Sequence, residues 1–352
     1  MTGPKTDETP SVLPPVPFDP ELEAHLAAMG EQPALTRESI PAVRAAVRAG
    51  ALTDEALDHG GELVWEERTV TGPPGNPDLA LLICRPAAAG AHERLPVLYH
   101  VHGGGMVAGG RRHLLSDVLT WTRRLRTVTV SVEYRLAPEH PHPAPLEDCY
   151  AGLVWTRRHA AELGADPGRI IAVGASAGGG LVAGLALLAR DRGGPALAGQ
   201  ILLSPMLDDR NDTPSARQME GLGLWDRASN ATGWDAYLGG TAGSPDVSPY
   251  AAPARAQDLA GLPPAYLDVG SAETFRDETV AYAGRLWRCG GECELHVWPG
   301  GFHGFDEFAP ETGLSRRAKR ARLRWLSALL ASGAQAPGRR VTAPASSATA
   351  PG

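Results

Sequence analysis

Apolar positions recur along this chain with a period that switches between helix and strand. Leu22, Leu26 and Met29, then Ile40, Val43 and Val47, stand three or four apart, which predicts two short amphipathic helices ahead of any sheet. Residues 62–85 alternate instead and end on the apolar run 79–84, predicting two strands joined through Thr71-Gly-Pro-Pro-Gly-Asn76. Buried-strand runs follow at 95–101, 128–132, 170–173, 199–203, 265–269 and 294–298, with helical stretches at 146–163, 181–188, 277–287 and 314–330. Strands alternating with helices imply an α/β fold: a mostly parallel sheet, antiparallel at its start, flanked by helices.

The alternation breaks between 205 and 258, where Met206, Met219, Trp225, Trp234 and Tyr237 stand among glycines, prolines and polar residues. That stretch reads as an inserted layer. The expected organisation is a loose proline-rich arm (1–17), N-terminal cap helices (18–48), a core in two parts (49–204 and 259–332) with a cap insertion (205–258) between them, and a disordered tail (333–352).

Composition narrows the picture. Hydrophobic residues make up 43% and charged residues 21% of the 352, ordinary for a globular chain, and the net charge of −7 with no basic patch argues against a nucleic-acid partner. No apolar run is long enough to cross a membrane, and the polar start suggests a cytoplasmic protein. Four cysteines do not make a disulfide framework, and Cys289, Cys293 and His296 fit no standard zinc spacing, so neither metal nor organic cofactor is expected.

The chemistry gathers at Ile170-Ile-Ala-Val-Gly-Ala-Ser-Ala-Gly-Gly-Gly180, an apolar strand that runs into a tight small-residue turn and then a helix. Such a turn holds Ser176 in a strained conformation with its hydroxyl exposed, and Gly174 and Gly178 leave the room it needs. A serine hydroxyl needs a base. His303, in the glycine-rich loop after the last strand, stands in the order nucleophile, acid, histidine. The acid should come from the loop after strand 265–269, where Glu273, Asp277 and Glu278 compete; Glu273 is nearest the strand end, and Asp268 within the strand reads as structural. His102-Gly-Gly-Gly105 can turn backbone amides inward, so Gly104 and Gly105, with Ala177, are candidate oxyanion donors. Met106, Met219, Trp225 and Trp234 are candidates for an apolar acyl pocket.

Taken together, His102-Gly-Gly-Gly105, Tyr134-Arg-Leu-Ala-Pro-Glu139 with Asp148, Gly174-Ala-Ser-Ala-Gly-Gly179 and Gly301-Phe-His-Gly-Phe305 resemble the hormone-sensitive lipase family of α/β-hydrolases over residues 60–330. The resemblance implies hydrolysis of carboxylic esters, short to medium in chain length, through an acyl-enzyme, beneath a helical cap. Amide, N-acetyl or lactone cleavage by the same machinery is the alternative, as is a non-catalytic binding protein. Late strands often pair between subunits in such proteins, so a homodimer fits the resemblance. One departure matters. The family commonly carries Asp-Pro-Leu-Arg-Asp-Glu in the acid loop, whereas this chain reads Glu273-Thr-Phe-Arg-Asp-Glu278, which puts a glutamate in the acid's place and keeps Asp277 as the alternate.

Overall fold

The computed structural model describes residues 13–90 and 92–333. The first twelve residues of the expected arm, and all but the first residue of the expected tail, lie outside that range. Eight strands form one sheet in the order β1 (Leu63–Val70), β2 (Leu79–Pro86), β4 (Val128–Glu133), β3 (Leu95–Val101), β5 (Ala165–Ala175), β6 (Gly199–Leu203), β7 (Ala265–Gly270), β8 (Cys293–Trp298). Only β2 runs against its neighbours; every pairing from β4 to β8 is parallel.

A parallel strand covered on both faces must be apolar on both, and β3 is buried at every position. Val97, Tyr99 and Val101 join a core with α5 (Ala144–Arg158), α6 (Ala177–Asp191) and α9 (Arg276–Arg288). The alternate residue Leu98 faces the other way, with Ile171 and Val173 of β5, towards α4 (Ser116–Leu125) and α11 (Gly313–Ala331). Each fully buried Leu, Ile or Val contributes about 1.5–3 kcal/mol relative to exposure, so these two layers hold the sheet.

The expected leading helices are α1 (Pro20–Met29) and α2 (Ile40–Ala49). Asp19 caps α1 by accepting from the amide of Glu21 at 2.9 Å. Residues 205–258 carry α7 (Pro214–Gln218) and α8 (Arg227–Leu238). The chain just before α2 meets α8: Leu35 N–H donates to Ser229 Oγ at 2.9 Å, and Thr232 Oγ1 donates to Leu35 O at 2.8 Å.

Several elements depart from the sequence expectation. Helix α5 ends at Arg158 rather than at 163, because the amides of Glu162, Leu163, Gly164 and Ala165 close tight turns on carbonyls of residues 159–161. Helices α3 (Asp54–Asp58), α4 and α10 (Phe305–Phe308) were not anticipated. The first is a single turn capped by Thr53 Oγ1, too short to show a period. The second follows Gly109-Gly-Arg-Arg112, and Val118, Leu119, Trp121 and Thr122 are its buried face.

Candidate active site

Ser176 stands between β5 and α6 with φ 57° and ψ −122°, a conformation that a side-chain-bearing residue adopts only under constraint. Its amide is held by Leu203 O at 2.8 Å on the neighbouring strand. The tightness of the turn explains its glycines: a Cβ on Gly174 would lie 2.3 Å from Gly178 O, and one on Gly178 would lie 2.1 Å from Val101 O. Ala177 opens α6, so its N–H has no partner within the helix and points from the positive end of the helix dipole.

Beyond β8 the chain turns through Gly300 and Gly301 and brings His303 Nε2 to 3.0 Å from Ser176 Oγ. Phe275 meets the imidazole edge-on at 5.1 Å, and Trp225 flanks it at 6.4 Å. On its far side Nδ1 lies 3.3 Å from Glu273 Oε2. That separation is long and its angle is poor for a hydrogen bond, yet neither atom has any other partner among the described residues. The Glu273 carboxylate is fully buried, so the imidazole is its available counterpart.

The competing acids are occupied elsewhere. Asp277 accepts from Ser215 N–H at 2.8 Å and from Arg276 Nε at 2.7 Å. Glu278 accepts from the amide of Leu207 at 2.7 Å, and burial pushes its carboxyl well above the usual range. Asp268 is an acceptor for Arg322 Nε at 2.7 Å and for Trp298 Nε1 at 3.2 Å, a buried structural pairing as its position in the strand suggested.

Gly104 and Gly105 follow β3 with φ of 113° and 62°. Among the described residues their amides donate to no acceptor, and both glycines border the same cavity as Ser176 and His303.

That cavity has a volume of about 200 Å³. Trp225 borders the cavity, with its ring against Gly105. Met106, Met219 and Trp234 do not border the cavity and have no exposed surface, which corrects the expectation for those three. Met106 points beneath α6 towards Gly180, Trp234 packs on Tyr237 at 6.1 Å, and Met219 closes the C-terminal end of α7. All three serve the packing of their own layer. Further lining, missed from sequence, comes from Val118 and Trp121 of α4 and from Phe308. Its signal was the apolar spacing within α4.

Comparison with known proteins agrees with this architecture. A family profile described as alpha/beta hydrolase fold matches residues 98–307. The chain is 38% identical to the carboxylesterase NlhH of Mycobacterium tuberculosis over 254 residues, covering 70% of this chain and 77% of that one. Among solved structures, a bacterial heroin esterase superposes with a TM-score of 0.82 at 38% identity, over 89% of this chain and 98% of that one. Esterase LipW of Mycobacterium marinum gives 0.79 at 32%, over 91% and 99%. The chain belongs to this α/β-hydrolase family, in its hormone-sensitive-lipase-like group.

Proposed function

We propose that Ser176 is the nucleophile of a carboxylic ester hydrolase, with His303 as general base and Glu273 orienting the imidazole. The chain's membership among the carboxylesterases described above makes it an ester hydrolase. The observation that carries the residue assignment is the 3.0 Å approach of His303 Nε2 to Ser176 Oγ on the wall of a cavity bordered by free amides.

In the reactive tautomer Nδ1 carries the proton towards Glu273, and Nε2 accepts the serine proton. The serine oxygen adds to the ester carbonyl, whose oxygen becomes an anion held by the N–H groups of Gly104, Gly105 and Ala177. His303 then gives its proton to the departing alcohol, leaving an acyl-serine. A water deprotonated by His303 attacks the acyl carbon, and the carboxylic acid leaves as Ser176 recovers its proton. Trp225 bounds the acyl side, and a cavity of this size suits short to medium acyl groups. Helices α1 and α2 with residues 205–258 act as the cap, supported by the bonds between Leu35 and α8.

Replacing Ser176 with alanine is expected to abolish turnover of p-nitrophenyl acetate while circular dichroism and melting temperature stay unchanged. Retained turnover would remove Ser176 from the mechanism.

A cytoplasmic homodimer is part of the proposal. Its support is that all four cysteines are free and that β8 lies at the sheet edge with Val297 exposed, while Val280 and Trp287 stand exposed two turns apart on α9. A sedimentation mass of one chain at micromolar concentration would remove the dimer.

A further inference from the structure

The turn after β3 carries three consecutive residues of positive φ: Gly104 at 113°, Gly105 at 62° and Met106 at 65°. For a residue with a Cβ that region costs roughly 1–3 kcal/mol, so surrounding contacts must hold the turn. Its carbonyl groups are where it is held. His102 O accepts from Tyr134 OH at 2.9 Å, Gly103 O lies 2.8 Å from His102 Nδ1, and Gly104 O accepts from the amides of Val107 and Ala108. Met106 O accepts from Ala137 N–H at 3.0 Å. Val107 O, the next in line, is held by a side chain from ahead of the sheet: Arg44 Nε of α2 donates to it at 2.6 Å.

The same guanidinium reaches a second support of the turn. Arg44 Nη2 donates to Ala137 O at 2.7 Å, on the residue whose own amide holds Met106. Both Nη atoms fork onto the Glu139 carboxylate at 2.8 and 2.6 Å, which fixes the guanidinium plane and so aims Nε. Glu139 is 56% exposed, so the ion pair alone adds little stability. Arg44 is only 18% exposed, and its two carbonyl contacts are part-buried. A surface ion pair would need neither of them. Lysine could not reproduce the arrangement, because one ammonium group cannot span two carbonyls and a carboxylate in this planar geometry.

We propose that Arg44 is a positioning residue for the oxyanion amides: by fixing the carbonyls of Val107 and Ala137 it keeps the N–H groups of Gly104 and Gly105 turned towards Ser176. The inference rests on the role given to Ser176 above. It makes α2 a support of the transition state as well as a part of the cap.

The test compares the full-length chain with Arg44→Met, Arg44→Lys and Glu139→Gln. The readouts are kcat and KM for p-nitrophenyl acetate, the inhibition constant of a trifluoromethyl ketone whose tetrahedral adduct carries an oxyanion, and the melting temperature. Absence of hydrolysis by the unaltered chain would refute the Ser176 reading itself; the Arg44 inference is judged on the ratios between variants. Outright removal of an oxyanion donor costs ~10²–10³ in kcat, so misorientation by Arg44→Met is expected to cost ~10- to 100-fold. KM should stay within about threefold, and the ketone should weaken by the same factor as kcat/KM. Arg44→Lys should recover little, whereas Glu139→Gln, which retains an acceptor, should keep most of the activity. Folded Arg44→Met with kcat and ketone binding within about twofold of the unaltered chain would overturn the inference, as would a loss confined to melting temperature. If Arg44→Met does not fold, Arg44→Lys decides by the same readouts.

Discussion

Gly105 and Trp225 touch so closely that a Cβ on the glycine would lie 2.3 Å from Cη2 of the indole. The indole therefore leans on the backbone that is proposed to hold the oxyanion, and one contact bears on both rate and acyl size. Gly105→Ala meets two obstacles, a φ of 62° and the tryptophan ring, and is expected to lower kcat/KM by ~100-fold or more. Adding Trp225→Ala removes only the steric one, so the double variant should recover part of that loss and accept longer acyl chains. Rates across p-nitrophenyl acetate, butyrate and octanoate for the single and double variants check this; an unchanged chain-length profile in Trp225→Ala would argue against its place on the acyl side.

Glu273 and Asp277 differ in what their removal would leave unpaired. Glu273→Gln deprives His303 Nδ1 of the carboxylate beside it, and by comparison with other triads kcat should fall by ~10³–10⁴. Asp277→Asn weakens the bond to Ser215 and the pair with Arg276 but leaves the imidazole untouched. It should lower the melting temperature with less than a tenfold change in kcat, of order 1 kcal/mol. The reverse ranking in steady-state assays would move the acid to Asp277.

Two imidazoles beside the proposed oxyanion hole make stability depend on pH. Burial pushes His100 down to about 3 and His102 down to about 4, below the ordinary value near 6.5. Between those values and 6.5 the unfolded chain binds a proton that the folded chain refuses, so stability falls as pH drops through that window and is fully present above it. The slope is ~1.4 kcal/mol per pH unit for each histidine. His100→Gln should flatten the dependence of unfolding free energy on pH between about 4 and 6 by up to one such increment. Urea titrations at several pH values measure it, and an unchanged slope would show that His100 is not the group responsible.

Much of this is legible in the sequence. The strand runs at 199–203 and 265–269 reappear as β6 and as all but the last residue of β7, because parallel strands buried on both faces are written as continuous apolar text. Ser176 and His303 are brought together as the order of motifs implied, because the glycines around each mark tight turns. What stayed hidden depends on tertiary direction. Trp225 and Trp234 stand nine residues apart in similar surroundings, and nothing local says that one faces the cavity while the other packs on Tyr237. Arg44 was equally silent: its partners are carbonyl groups 63 and 93 residues on, and carbonyls carry no sequence signature.

The loop that carries His303 is packed against the beginning of the chain. Leu22 of α1 shares a small core with Phe302 and Phe305, Asp19 N–H donates to Gly300 O at 3.0 Å, and Gly313 N–H donates to Glu21 across 292 residues. During synthesis α1 leaves the ribosome long before the segment it covers. The apolar side of α1 therefore gains Phe302 and Phe305 only once the histidine loop has been made. Loss of α1 would therefore strip the segment around His303 of the Leu22 contact and of the bonds from Asp19 and Glu21 that tie it down.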